Sequence, residues 1–449
     1  MTLLDPTRAF EKTYDRDGWP FLIVADRDGK VLFADASPGD RTPLEALLDK
    51  ITAKAPAVES TTAEGIFYMP ATLGRSSELK AIKHRDRFPS VACAPDGRVY
   101  VAFTTNRAGN DDVFVRVYDG KTWSKDYPIA ATAADEHDAV VAVDKSGTVW
   151  FSWTSNAGGE KYNIFVASGK DVSKIGAGQR VTEADDDAMH GRIACAADGK
   201  VWLTYYKWGY VQGSSRDKEV YVRRFDGKAW SDEIHVSPED VPSYEDHSDP
   251  IVAATDKGAV VAWSWDFHQP KGYTKEAENP TIFIRSIAQD YSLGPARVVS
   301  GTHIDTMPAL ALDGTGRPWC LWESISWDGR AGANRKAICA SYDTGNPSEG
   351  GALTSGMANV CSPRLVAAPS GKLTAVWAET ADGDRWVIKR AEIDPKVDKV
   401  PAAEMIVSEG NPRFPAAAYD PKGTLWVAYS AEAGAGREIA VKSFPSSSR

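Results

Sequence analysis

What most limits the folds open to this chain is an internal repeat: an apolar run, a polar turn carrying Gly, and a second apolar run that closes on an aromatic. It reads "SVACAPDGRVYVAF", "VVAVDKSGTVWFSW", "RIACAADGKVWLTY", "IVAATDKGAVVAWSW", "ALALDGTGRPWCLW", "RLVAAPSGKLTAVW" and "AAAYDPKGTLWVAY". The turn glycines are Gly97, Gly147, Gly199, Gly258, Gly316, Gly371 and Gly423. Each copy has the β-branched and aromatic enrichment of two strands joined by a turn of hairpin length. A third strand follows, as in "DVFVRVYDG" and "EVYVRRFDG", and often a fourth, as in "DEIHVSPE" and "AEMIVSEG". Asp-Gly turns in "YDGKTWS" and "FDGKAWS" join the third strand to the fourth. Units of four antiparallel strands recurring every ~50 to 60 residues are the signature of propeller blades. The expected fold is therefore all-β: a seven-bladed β-propeller over residues 61–449.

The ends of the chain predict how the ring closes. The seventh unit offers "FPAAAYD", "TLWVAYS" and "EIAVKSF" and then a Ser-rich tail, so it lacks a fourth strand. Residues 78–84, "ELKAIKH", have no blade of their own. Pairing them with residues 438–444 would leave no sheet edge open.

Residues 1–60 fall outside the repeat and are expected to form a small α/β appendage. "GWPFLIVADRDGKVLFADASPGDRTPLEALLDKITAKA" reads as a hairpin and then an amphipathic helix, with Leu44, Leu47, Leu48 and Ile51 at helical spacing. This segment resembles the C-terminal half of a thioredoxin-like fold, with Pro20 at that family's proline position before the penultimate strand. The half that would carry redox cysteines is absent from the resemblance, so it implies no thiol chemistry. The rival reading of "FLIVADRDGKVLFA" is an eighth blade hairpin.

Composition narrows the partners. With 449 residues, 43% hydrophobic and 25% charged, the chain can bury one large core or two ordinary ones. A formal charge of −10 and no basic stripe exclude nucleic acid and anionic membrane as main partners. The longest apolar runs are strand-sized, well short of the roughly 20 residues of a membrane helix. The five cysteines show no C-x-x-C spacing, against a zinc knuckle or dithiol site. Cys93 and Cys195 read as small core residues, and Cys320 and Cys339 can face each other on neighbouring strands as one disulfide. The start, "MTLLDPTRAFEKTYDRDGW", has no signal-peptide pattern, which fits a cytoplasmic chain or one already trimmed. Fifteen tryptophans and only six methionines fit a secreted, glycan-handling protein, and the compartment expected is periplasmic or extracellular.

Propeller topology sorts the candidate residues by face. The lead-in to each first strand and the loop after each second strand share one face, and the Gly turn lies on the other. Ten residues before the turn glycines stand Arg87, His137, Met189, Ser248, Thr306, Cys361 and Arg413. Nine before stand Phe88, Asp138, His190, Asp249, Met307, Ser362 and Phe414, and His247 stands eleven before its glycine. Three of the seven histidines thus enter one rim from consecutive blades, with Asp86, Glu136, Asp138, Asp246, Asp249 and Asp305 around them. An acidic mouth is expected. The loops "YYKWGYVQGSSRDK", "WSWDFHQPKGYTKEAENP" and "WESISWDGRAGANRK" of blades three to five are the longest and richest in aromatics, which puts the site over blades two to five. Trp153, Trp263, Trp322 and Trp377, at the repeat position, are expected to pack between blades.

The seven-unit region resembles the broad group of bacterial propellers of the sialidase and lyase type. The resemblance is architectural: the turns run D-x-x-G or x-D-G without the leading Ser of the sialidase Asp-box, S-x-D-x-G-x-x-W. Sialidase activity is therefore not carried over.

Three chemistries suit this mixture of imidazole, carboxylate and aromatic groups. Two carboxylates among Asp138, Asp249, Asp266 and Glu323 can hydrolyse a glycosidic bond as acid and base or nucleophile. His137, His190 or His247 with Tyr206 can instead take a proton beside a uronate carboxylate neutralised by Arg192 or Lys207, which is lyase chemistry. Third, His137, His190 and His247 with a carboxylate can ligate a divalent metal at the funnel mouth, although no cofactor is required by the other two. Trp208, Trp265, His268 and Trp327 are expected to line the substrate, a carbohydrate or other small polar ligand. The functional expectation is a glycan-directed enzyme, glycoside hydrolase or polysaccharide lyase, and the alternative is a non-catalytic propeller binding a glycan or protein partner.

Overall fold

The computed structural model describes residues 21–25, 31–36, 85–183, 186–210, 216–238, 245–267, 280–300, 303–328, 333–342, 351–354, 358–381, 385–393, 402–433 and 436–446. The chain divides into two units, Met1–Leu79 and Lys80–Arg449. In the first, Phe21–Ala25 pairs antiparallel with Val31–Ala36, the expected hairpin. Pro20 and the helix that carried the thioredoxin-like resemblance lie outside the described residues.

The second unit is a seven-bladed propeller. Among the described residues six sheets have four antiparallel strands in sequence order, and the last has three. The innermost strands are Asp86–Cys93, Glu136–Val143, Ala188–Cys195, Glu245–Thr255, Ile304–Leu312, Val360–Ala367 and Arg413–Tyr419. Residues 78–84, expected to complete the seventh blade, lie outside the described residues; beside them Arg85 makes an isolated bridge to Arg437 of the last strand. The hydrophobic contacts close the ring: Val91, Val99, Val101 and Phe103 of blade one pack against Ala416, Ala428 and Ile439 of blade seven.

The aromatic that closes each repeat explains the interfaces. Phe103, Trp153, Tyr205, Trp263, Trp322, Trp377 and Tyr429 are all buried, each in a cluster shared with the preceding blade. A large flat side chain on a second strand covers the neighbouring sheet, which a lone blade cannot do for itself. Three turns are pinned by the aspartate that opens them. Asp144, Asp313 and Asp420 each accept two backbone N–H bonds through Oδ1 and face the indole N–H of Trp150, Trp319 or Trp426 through Oδ2. A D-x-x-G-x-x-W turn thus ties its carboxylate to its own backbone without a leading Ser. The disulfide expectation is corrected: none of the five cysteines forms a disulfide, because Cys320 faces Ser341 across the ladder while Cys339 faces Trp322.

Every innermost strand carries a β-bulge at one repeat position. In blade one, Arg87 pairs with Thr104 and Ser90 with Ala102, so one residue is extra. The same shift occurs at the equivalent place in the other six blades. At the bulge Phe88, Asp138, His190, Asp249, Met307, Ser362 and Phe414 hold φ between 50° and 58°. A non-glycine residue held left-handed is strained, and a β-branched one most of all. Met307 is 44% exposed, so its side chain contributes little packing. Met307→Val is therefore expected to lower stability by about 1–2 kcal/mol in urea titration, with Met307→Gly tolerated. Equal midpoints for Val and Met would mean that the bulge stores no such strain.

Candidate active site at the funnel mouth

The bulges decide which side chains meet. A left-handed residue turns its side chain off the sheet's alternation, and here the turned residues of neighbouring blades touch. Phe88 and Phe414 of blades one and seven lie with ring centroids 4.7 Å apart. On another arc, His190 of blade three is held between two neighbours: its Nε2 is 3.4 Å from Asp138 Oδ2 of blade two, and its Nδ1 is 3.2 Å from Asp249 Oδ1 of blade four. His137, one residue before its bulge, places Nδ1 3.3 Å from the same Asp138 oxygen. Its ring meets Tyr162 edge-on at 5.2 Å, as His190 meets Tyr206.

Charge in this cluster is fixed by the contacts. Burial works against an Asp138 anion, but the His190 charge, the bond from His137 and the Arg192 charge outweigh it and hold its carboxyl far below the usual carboxylate range. Asp249 is lowered in the same way, against burial, by His190, Arg192 and Lys218. Burial also disfavours a charged His137, yet the bond and charge of Asp138, with Asp111 behind, raise its pKa above the ordinary 6.5. Asp111 is itself ion-paired with Arg87. Burial first, and then the charges of Asp249 and Asp138, push the Tyr206 phenol up, so it stays a proton donor at neutral pH. Among the described residues its hydroxyl donates to the soft Met189 sulfur at 3.4 Å.

His247 sits two residues before its bulge residue and is 2% exposed, with Nδ1 accepting from Trp263 Nε1 at 2.8 Å. It does not join His137 and His190, so the three-imidazole set considered for a metal is not assembled. Among the described residues no group of three His, Cys, Asp or Glu is placed to hold a metal ion. Of the six carboxylates expected at the mouth, Asp138 and Asp249 stand in the cluster and the other four are buried. Asp86, Glu136 and Asp305 are 1% exposed or less, buried between blades, with Asp86 paired to Arg107 and Glu136 accepting from Thr132.

The other expected residues scatter. Lys207 reaches Glu233 and Asp186 beneath Tyr221, on the blade face opposite Tyr206, because successive strand residues alternate. Glu323 spans to the next blade, where Oε1 accepts the backbone N–H of the bulge residue Ser362 at 2.7 Å. Asp266 is half-buried opposite Asp246 in blade four. Trp208 is half-buried with Lys218 Nζ 4.5 Å from its ring centroid, and Trp265 is packed edge-on to Phe283. Much of the long loops is strand: Val201–Tyr210, Gly258–Phe267 and Pro318–Asp328 continue outward, carrying Trp208, Trp265 and Trp327. His268 and the side chain of Trp327 lie outside the described residues. Arg192 does reach the cluster, through its charge on Asp138 and Asp249. One participant was missed by sequence reasoning: Asp111, in the lead-in to a third strand, whose charge acts on His137.

No protein-family description matches the chain, and no curated protein does. Among solved structures, it is similar to a polysaccharide lyase described as an ulvan lyase, with 10% identity and TM-score 0.53 over 82% of this chain and 94% of that one. A Hadza microbial sialidase gives 12% identity and TM-score 0.44 over 79% and 74%, and an α-L-arabinanase of Penicillium chrysogenum gives 13% and 0.42 over 80% and 93%. At these identities the likeness establishes the propeller fold alone. Among the described residues no helix is long and apolar enough to cross a membrane.

Proposed function

We propose that the funnel mouth is the active site of a glycan-directed enzyme in which His137 and His190 move protons. The observation that carries this reading is Asp138, fixed ionised between two imidazoles from adjacent blades. A carboxylate against Nδ1 orients His137 and leaves Nε2 as the atom that takes or gives a proton, and a raised pKa moves its titration toward neutral pH. Hydrolysis by the Asp138 and Asp249 pair fits less well, since it needs one of the two carboxyls kept protonated and both are held below their usual range. Imidazole-driven elimination is the better match. The reading requires no cofactor, and a polymeric substrate places the protein in the periplasm or outside the cell.

The second reading, a non-catalytic glycan receptor, is favoured by the Phe88 and Phe414 pair, since Phe88 is 40% exposed beside the cluster and offers a stacking face. A screen of acidic and neutral polysaccharides separates the two. New reducing ends or unsaturated-uronate absorbance support the enzyme, whereas binding without either product supports the receptor.

A further inference from the structure

Blades two, five and seven place a tryptophan three residues after the turn glycine, and its indole N–H faces the aspartate three residues before that glycine: Trp150 with Asp144, Trp319 with Asp313 and Trp426 with Asp420. Blades one and three depart from this pattern, with Ala94 and Ala196 in place of the aspartate. The consequence is the same in both: among the described residues Tyr100 Oη and Trp202 Nε1 are buried with no hydrogen-bond partner. Leaving such a group unpaired costs about 1–3 kcal/mol. In blade three the indole is closed over, with the Arg224 guanidinium 5.4 Å from its ring centroid and Tyr291 edge-on at 6.5 Å. In blade one it is not, because Tyr100 forms part of the wall of a cleft of about 470 Å³.

The cleft opens on the Gly-turn face, opposite the funnel mouth, where blades one and two meet. Arg98, Asp119 and Tyr127 of blade one and Lys170 and Asp171 of blade two line it beside Tyr100. Three turns deliver them: Arg98 follows Gly97, Asp119 follows the strand Asp112–Tyr118, and Lys170 follows the strand Asn163–Gly169. Tyr100, Val115 and Ile129 of blade one share an apolar cluster with Val172 of blade two, which fixes the two walls together. The volume is that of a small-ligand site, for which ~300–1,000 Å³ is usual. Two cations face two carboxylates, so the lining carries no net formal charge. The carboxylates are largely answered: Asp119 Oδ1 accepts the N–H groups of Lys121 and Thr122, and Asp171 accepts the Ser173 N–H and faces Lys174 Nζ at 3.1 Å. The donors are less so. Arg98 gives its Nε to Asp96 and keeps its two Nη groups, and among the described residues Lys170 makes no ion pair. A hydroxyl both donates and accepts, so it suits such a lining, whereas a free anion meets Asp119 and Asp171 and a free cation meets Arg98 and Lys170.

We infer that this cleft binds a neutral sugar through its hydroxyls, with the Tyr100 phenol donating to a sugar oxygen and Arg98 and Lys170 reaching it from the two blades. The site lies on the face opposite the proposed active site and does not depend on the chemistry there. Glucose, galactose, xylose and rhamnose are titrated into the full chain with binding followed by ligand-observed NMR, and glucosamine, acetate and glycine serve as charged counterparts. Only binding that is lost in Tyr100→Phe counts for the cleft. At least one neutral sugar is expected to bind there with a Kd on the order of 1–10 mM, tighter than any counterpart. Tyr100→Phe removes only the unpaired hydroxyl, so it is expected to weaken that sugar about 5- to 10-fold while the thermal midpoint of the free protein stays at or above the wild type. Lys170→Ala changes an exposed side chain, so the fold is kept, and it is expected to weaken the same sugar. Absence of neutral-sugar binding, tighter binding of glycine, which would assign the cleft to a zwitterion, or wild-type affinity in either variant would each overturn the inference. The two readings fail separately. If sugar binding depends on Tyr100 while no polysaccharide is cleaved, the enzyme falls and the cleft stands. If polysaccharide is cleaved and no neutral sugar binding depends on Tyr100, the reverse holds.

Discussion

Replacing His137 by Asn is expected to lower polysaccharide turnover about 100- to 10,000-fold, the range over which a positioned acid–base group contributes. The side chain is 24% exposed and contacts Asp138 and Tyr162 rather than the blade core, so the variant should stay folded. A companion change tests the role of the carboxylate rather than its mere presence. Asp138→Asn keeps the shape and suits the left-handed backbone, where Asn is among the better tolerated residues. It removes the anion that raises the His137 pKa, so the imidazolium becomes less favourable and the pKa falls. If His137 must be neutral to act as base, the acidic limb of the pH–rate profile moves to lower pH in Asp138→Asn, and the remaining rate is reduced by lost orientation. A profile that keeps its wild-type position in that variant would remove Asp138 from the mechanism, and full turnover in His137→Asn would remove the histidine.

The blades were legible in the sequence because each is specified locally: a Gly turn, two strands and one aromatic that must find a neighbouring sheet. The histidines were only partly legible, since counting back from a glycine gives position along a strand and not direction. His137, His190 and His247 stand one before, on and two before the bulge residue, so three similar lead-ins point three ways. The sequence does carry a signal for the bulge. Pro89, Pro250, Pro308, Pro363 and Pro415 each follow the left-handed residue. Proline inside a paired strand removes a ladder donor, and it is tolerated at a bulge, where that donor has no partner to lose. In blade three the place is taken by Gly191, where an added Cβ would stand 2.9 Å from Ile164 Cγ2. Glu323 is a rim carboxylate whose contact is with the backbone of the next bulge.

The largest pH effect on stability is expected from His247. Burial lowers its pKa from 6.5 to about 4, and the Trp263 N–H occupies Nδ1, so protonation there would cost both a buried charge and a hydrogen bond. The unfolded chain binds this proton more readily than the folded one, so stability is whole above pH ~6.5, falls as pH drops, and is lost once pH passes below about 4. The span corresponds to about 3 kcal/mol. His247→Asn places an amide oxygen near the Nδ1 position and cannot titrate, so it is expected to lose stability at pH 7 from imperfect packing yet to close on the wild type as pH falls. His137, whose pKa is raised, contributes in the opposite sense, stabilising below pH ~6.5 and losing that contribution as pH rises through its folded value. Both it and the lowered turn aspartates are present in the two proteins and cancel in the difference. Urea midpoints at pH 7, 5.5 and 4.5 read the effect directly: parallel curves for wild type and His247→Asn would show that this histidine is not buried neutral, and convergence toward pH 4.5 would show that it is.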